Sequence, residues 1–224
     1  PDLNRNLYHT LNVDFVRMYQ LCCNKITHWI ASGQFAGKVI FENFINGYFY
    51  LYNHLADLPK DALYIVADKY PEMLQMYKEM ISTLGLDLDI LYIADCDPDY
   101  PLRPGCVDLV IDFFSSSEHD FYFPQPYYEA FGALLAPDAQ VIGTVMTLPA
   151  GAKSRPRYHQ KYPEGTPHLM DFSHLEGALN ALGYAIKTEE VGAVLKTQDK
   201  FSFVCHLSGE KMSFIWYTAS RAPK

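Results

Sequence analysis

Residues 62–80, "ALYIVADKYPEMLQMYKEM", decide the fold. The first half is a continuous apolar run that ends at Asp68, a pattern typical of a strand that is covered on both faces. The second half begins at Pro71, a residue that favours the first turn of a helix, and the periodic pattern stops at Gly85. The segment therefore predicts one strand and one helix of an α/β fold, with an acidic residue at the end of the strand.

The same alternation extends in both directions along the chain. Further apolar runs predict strands, and periodic segments between them predict helices; the strands are expected at 38–41, 89–95, 107–114 and 140–146, and the helices at 13–32, 47–58, 125–137 and 171–183. Near the end, 200–207 and 211–219 are joined by Ser-Gly-Glu and predict a hairpin. We expect a Rossmann-like, doubly wound, mostly parallel sheet with a C-terminal antiparallel hairpin. An N-terminal helical segment, 1–36, is expected to pack on an α/β domain, 37–224.

The amino-acid composition limits the kinds of molecule that this chain is expected to bind. The 224 residues are 49% hydrophobic and 20% charged, enough apolar material for a sizeable core. A net charge of -8 with only 18 Lys and Arg residues argues against direct binding to nucleic acid. The five cysteines lack a CxxC spacing and no apolar run is long enough for a membrane span, so a cytoplasmic chain with reduced thiols is expected. The 17 Tyr and 14 Phe residues provide side chains for a small-molecule pocket.

The order of these elements resembles that of class I S-adenosylmethionine-dependent methyltransferases. Residues 62–80 resemble the second strand and helix of that family, and "ILYIADCDPDYPL", "CVDLVIDFFSSSEH" and "LLAPDAQVIGTVM" resemble its third, fourth and fifth strands. The resemblance covers roughly residues 37–218. It implies a methyltransferase-like fold and S-adenosylmethionine as the cofactor.

The resemblance also implies roles for individual residues. Asp68 matches the acid that accepts hydrogen bonds from the ribose hydroxyls, Asp95 the acid that binds the adenine amino group, and Glu42 the acid that opens the glycine motif. The segment that begins at Phe113 would approach the methyl donor, and His119 is a candidate base. Three structural alternatives remain open: a helix cap for Asp68, a polar turn for Asp95 and a solvated loop for His119.

The turn after the first strand departs from the family. Counted from Glu42, the pattern E-x-G-x-G-x-G requires glycine at three positions that here hold Phe44, Asn46 and Tyr48, and the glycine of this turn, Gly47, is out of phase. Asn46 and Gly47 permit a left-handed backbone, so a turn near the cofactor is expected to form. Phe44 and Tyr48, together with Phe114 from the fourth-strand segment, are expected to line the pocket. The standard cofactor cradle is therefore not expected.

Two functions follow from these departures. The first is a ligand-binding or sensor module that no longer transfers methyl groups. The helix before "GKVIFEN" also resembles the C-terminal domains of MerR-type bacterial transcription regulators, which implies a homodimer and a DNA-binding domain upstream of Pro1. The second is an active methyltransferase for a small molecule, because methyl transfer depends on positioning and needs no fixed nucleophile. No metal site is predicted, since His168 and His174 lack the spacing of a zinc pair, and no nucleophile elbow is present.

Overall fold

The computed structural model describes residues 13–43, 51–68, 70–94, 100–113, 132–147, 173–190, 202–204 and 211–221. The chain forms two compact units, Pro1–Cys96 and Asp97–Lys224. The predicted division between residues 36 and 37 stays a prediction. Strands and helices alternate along the first unit, and the described elements of the second unit are five strands and one helix, so the predicted α/β class is confirmed.

The first unit is built on three parallel strands. Its elements are, in chain order, α1 (Val13–Ala31), β1 (Val39–Asn43), the 3₁₀ helix η1 (Leu51–Asp57), β2 (Leu63–Asp68), α2 (Pro71–Leu84) and β3 (Asp89–Ala94). The strand order is β3-β2-β1, and both pairs are parallel. Parallel pairing puts the carboxyl ends of the strands at one edge, which is where this class of fold binds ligands.

The residues at the two ends of helix α2 and the spacing of its apolar residues explain why it forms. Pro71 occupies its first turn, and Gly85 ends it in a left-handed conformation with φ of 63°. Leu74, Tyr77 and Ile81 are spaced to share one face of the helix, and all three are buried. Burial of each such side chain contributes about 1.5–3 kcal/mol, so this face holds α2 in the unit.

The second unit has a mixed sheet. Its elements are β4 (Val107–Phe113), β5 (Leu135–Thr147), α3 (Ser173–Ala181), β6 (Tyr184–Glu190), β7 (Ser202–Val204) and β8 (Lys211–Arg221). Strands β4 and β5 are parallel, whereas β8 runs antiparallel to β5, β6 and β7. The pairing of β7 with β8 confirms the predicted C-terminal hairpin.

Two elements differ from the sequence prediction. The α-helix predicted at 47–58 is the 3₁₀ helix η1 within its described part, a form that is common in short pieces.

Strand β5 starts at Leu135, so the helix predicted at 125–137 extends too far. Pro137 lies within β5, where the register shifts: Val107 pairs with Leu135, but Leu109 pairs with Gln140. Such an irregularity accommodates a proline because proline has no N–H for the ladder.

Strand β3 also differs from its prediction. An apolar run like this one predicts burial on both faces, yet Leu91 is 42% exposed. The reason is position, since β3 pairs with β2 at one end of the first unit's strand order. Strand β4, by contrast, is buried at nearly every residue, as predicted. Within the described ranges, no helix combines the length and the apolar character that a membrane span requires.

Candidate functional site

Asp68 is the last residue of β2 and is buried, with 4% of its surface exposed. Its Oδ1 accepts a hydrogen bond of 2.8 Å from the backbone amide of Tyr70. This bond to the amide two residues later is the geometry by which aspartate stabilises a turn, and it fixes the carboxylate at the strand end. The N-cap residue of α2 is Tyr70, so Asp68 does not occupy the N-cap position.

Glu42 lies near the end of the neighbouring strand and is 1% exposed. It pairs with Val66 across the parallel β1–β2 ladder. Because side chains alternate along a strand, Asp68, two residues beyond Val66, projects from the same face as Glu42. The two carboxylates therefore share one face of the first unit's sheet, at its carboxyl edge.

The chemistry of this pair favours hydrogen-bond donors and positive charge. Burial of an ionised carboxylate costs several kcal/mol, and hydrogen bonds or nearby positive charge must offset that cost. Hydroxyl groups, amino groups and cationic centres all provide such interactions. An adenosyl cofactor would meet this requirement, and the role of Asp68 as the acceptor for its ribose hydroxyls stays a prediction. Among the described residues, no group of three or more His, Cys, Asp or Glu side chains is placed to hold a metal ion.

Phe113, predicted as a cofactor contact, lies in the core of the second unit. It ends β4, is buried, and its ring centroid is 5.7 Å from that of Trp216 at an interplanar angle of 49°. Thr144 pairs with both residues and separates them on β5. An aromatic pair of this kind contributes about 0.5–1.5 kcal/mol beyond its buried area. The packing explains Phe113 structurally, and its contact with a cofactor stays a prediction.

The other predicted site residues lie outside the described part of the chain. They are the four residues of the first turn, the acid after β3, and the two residues after β4: Phe44, Asn46, Gly47, Tyr48, Asp95, Phe114 and His119. Their roles in cofactor binding, in lining the pocket and as a candidate base stay predictions.

Sequence analysis missed a buried polar pair in the second unit. The Tyr217 hydroxyl on β8 donates a hydrogen bond to Oδ2 of Asp112 on β4. Gly143 on β5 pairs with both residues, and a Cβ placed there would lie 2.5 Å from Cε1 of Tyr217. Glycine therefore allows the tyrosine side chain to cross β5. Two signals were present: an acid inside an apolar run, and an isolated glycine inside a strand.

A second missed contact joins η1 to α1 in the first unit. Nδ1 of His54 lies 3.3 Å from Oγ1 of Thr27, and His54 is 8% exposed. Asn53 adds a hydrogen bond of 3.5 Å from its Nδ2 to Sγ of Cys23. No sequence pattern marked His54, because its burial depends on the packing of two separate elements.

No family model and no curated protein matches this chain. Solved structures do match it, over most of its length. A SAM-dependent methyltransferase from Aquifex aeolicus is 14% identical, with a TM-score of 0.58 and 88% of each chain covered. A geranyl diphosphate methyltransferase in complex with SAM is 10% identical, with a TM-score of 0.64, 89% of this chain covered and 85% of that one. The cyclase SpnF is 12% identical, with a TM-score of 0.64 and coverage of 89% and 81%.

These identities are low, so the likeness is one of fold. It extends over at least 88% of the chain in each of the three structures. Two of them are titled methyltransferases, and the third is titled a cyclase. The chain has the α/β, Rossmann-like fold of class I S-adenosylmethionine-dependent methyltransferases.

Proposed function

We propose that this chain is a ligand-binding module that holds S-adenosylmethionine, or the related S-adenosylhomocysteine, at the carboxyl edge of β1 and β2. One observation carries the proposal: the buried carboxylates of Glu42 and Asp68 share a face at the ends of adjacent parallel strands. The fold places its ligands at this edge. Buried acids at such an edge are functional candidates, because burying them for structure alone is costly.

The ligand complements this pair chemically. Its ribose carries two hydroxyl donors, and a carboxylate that is held at a strand end accepts hydrogen bonds from both. Its amino group and, in S-adenosylmethionine, its sulfonium are positive and lower the cost of two neighbouring negative charges. The hydrogen bond from Tyr70 orients the Asp68 carboxylate before any ligand arrives, so little ordering is needed on binding. When bound, S-adenosylmethionine supplies a methyl group on a cationic sulfur.

We place ligand binding ahead of methyl transfer because of the first turn. The sequence puts Phe44, Asn46 and Tyr48 where the family has glycine. Glycine in this turn permits close backbone approach to the ligand, and larger side chains restrict it. A shared fold leaves the reaction open, and a matched structure titled as a cyclase illustrates this. The resemblance to regulator domains, and with it the homodimer, stays a prediction.

An active methyltransferase is the second candidate. The matched structures favour it, since several are methyltransferases with SAM or S-adenosylhomocysteine bound. Incubation with S-adenosylmethionine and a panel of small hydroxyl and amine acceptors separates the two functions. A methyltransferase releases S-adenosylhomocysteine in proportion to acceptor, whereas a sensor module binds the ligand and returns it unchanged.

The binding proposal is tested by calorimetric titration with S-adenosylhomocysteine. The key variant is Asp68→Asn, which keeps an oxygen for the Tyr70 amide but removes the charge. We expect its affinity to fall by about 10- to 100-fold, which corresponds to loss of a charged hydrogen bond of about 1.5–3 kcal/mol. The matched control is Asp61→Asn, because Asp61 is exposed and precedes the opposite end of the same strand. This control should bind as the original chain does.

Two results would overturn the proposal. One is the absence of heat at millimolar ligand from a chain whose circular dichroism shows it to be folded. The other is an Asp68→Asn variant that binds as tightly as the original chain, since the ligand would then lie elsewhere.

A further inference from the structure

The contact between η1 and α1 centres on one buried histidine. His54 lies in η1, and its imidazole reaches Thr27 of α1 with an Nδ1 to Oγ1 distance of 3.3 Å. In the same two elements, Ile26 of α1 and Leu51 and Leu55 of η1 are almost fully buried, whereas Thr27 is exposed. The imidazole is therefore a buried polar group that meets Thr27 where two helical elements contact each other.

The hydrogen bonds determine which ring nitrogen carries the proton. Oγ1 of Thr27 donates its single hydrogen to the carbonyl of Cys23 at 3.1 Å. We therefore assign Oγ1 of Thr27 as the acceptor and Nδ1 of His54 as the N–H donor of this contact. Nε2 then carries the lone pair, and it has no hydrogen-bond partner among the described residues. Any second proton must be added at Nε2, inside a buried contact.

The groups near the imidazole do little to stabilise a positive charge. Burial lowers the pKa of His54 from its ordinary value of 6.5; the Asp57 carboxylate and a hydrogen bond to the Cys23 backbone act in the opposite direction but do not outweigh burial. Asp57 belongs to η1 and is exposed, so water screens its charge. Helix α1 carries Asp14, Arg17, Tyr19, Lys25 and His28 besides the two thiols. Its contacts with His54 are the Cys23 backbone and Thr27, and burial raises the pKa of the neighbouring Cys22, so that thiol remains neutral.

We propose that the His54–Thr27 contact is a proton-sensitive latch, in which uptake of a proton at Nε2 of His54 releases η1 from α1. The direction follows from linkage. In the released state His54 is solvated and takes up a proton as the pH falls below 6.5, while in the closed state burial lowers its pKa, so protonation requires a lower pH. The stability of the closed latch is therefore constant above pH 6.5 and falls as the pH drops below that value, down to the pKa of the closed state.

Hydrogen exchange of the η1 amides, residues 51–57, measures the release. After correction for intrinsic exchange rates, the opening constant should rise by about tenfold per pH unit below 6.5, because one proton is taken up on opening. The variant His54→Asn retains a donor near the position of Nδ1 and cannot be protonated, so its opening constant should not change with pH. The control His28→Asn removes an exposed histidine of α1 and should retain the original pH dependence.

The proposal fails if η1 is equally protected at pH 7.5 and pH 5 in the original chain, or if His54→Asn shows the original pH dependence. If His54→Asn does not fold, nitrogen-15 NMR of the original chain decides. We expect the proton of neutral His54 on Nδ1 and a titration midpoint below 6.5. A proton on Nε2, or a midpoint at or above 6.5, would contradict the latch.

Discussion

The two units of this chain bury acidic residues in different ways. In the second unit, Asp112 lies inside β4 and accepts a hydrogen bond from Tyr217, which is 105 residues away on β8. In the first unit, Asp68 ends β2 and accepts its hydrogen bond from Tyr70, only two residues later. The first arrangement links distant strands, whereas the second shapes a turn at the edge where such folds bind ligands.

The comparison shows that burial alone does not identify a functional acid. Asp112 is 2% exposed and Asp68 is 4% exposed, yet only Asp68 stands at a strand end beside a second acid, Glu42. The position in the strand separates the two cases. Asp112 lies inside β4 and bonds to another strand, whereas Asp68 ends β2 at the edge where this fold places ligands.

The largest effect should come from Gly143→Ala. The added methyl would lie 2.5 Å from both the Tyr217 ring and the Asp112 carbonyl oxygen, so strands or side chains must shift. We expect a loss of about 3 kcal/mol in the free energy of unfolding, measured by urea titration. Gly177→Ala is the control: Gly177 lies in α3 with no heavy atom within 4 Å of its Cβ position, and the change should stabilise the helix by about 0.5–1 kcal/mol. Equal stabilities for the two variants would contradict the crossing of Tyr217 over β5.

A smaller effect is expected from Tyr217→Phe, which removes the donor to Asp112 and keeps the ring. Loss of a hydrogen bond to a buried acid lowers the free energy of unfolding by about 1–3 kcal/mol. Tyr184→Phe is the matched control, because the Tyr184 hydroxyl is buried and has no hydrogen-bond partner among the described residues. Its loss should change the free energy of unfolding by less than about 0.5 kcal/mol. A Tyr217→Phe variant as stable as the control would show that the Asp112 bond contributes nothing to the fold.

The smallest effect concerns the thiols of the two units. Cys22 is fully buried in the first unit and its pKa is raised by that burial, whereas Cys106 in the second unit is partly exposed. Alkylation requires an accessible thiolate, so Cys22 should react with iodoacetamide at least about tenfold more slowly than Cys106 at pH 8. Mass spectrometry of peptides from the native chain measures both rates. Equal rates would mean that α1 does not stay packed.

The sequence predicted the elements well wherever the signal was local. Pro71 and Gly85 marked the ends of α2, and Ser-Gly-Glu marked the hairpin of β7 and β8. The prediction from sequence failed where the structure depends on pairing between residues that are far apart in the chain. The early start of β5 requires the shifted register with β4, and the exposure of Leu91 depends on which strands lie beside β3.

The same distinction between local sequence signals and contacts between distant residues applies to the candidate site. Asp68 and Glu42 were identified through the family resemblance as acids at strand ends; the structure has both near the ends of β2 and β1, and their role in binding stays a prediction. The Asp112–Tyr217 bond was missed because no local pattern relates residues 105 apart. The contact of His54 with Thr27 was missed because it joins two separate helical elements.

The most direct test of the account is to map amide chemical shifts in the chain as S-adenosylhomocysteine is added. We predict the largest shifts at Glu42, Asp68 and Tyr70, at the carboxyl edge of the first unit. The amides beside the Asp112–Tyr217 bond, such as that of Ile111, should shift least within the described strands. Shifts centred on Ile111, or none anywhere at millimolar ligand, would contradict the claim that Glu42 and Asp68 form the ligand site.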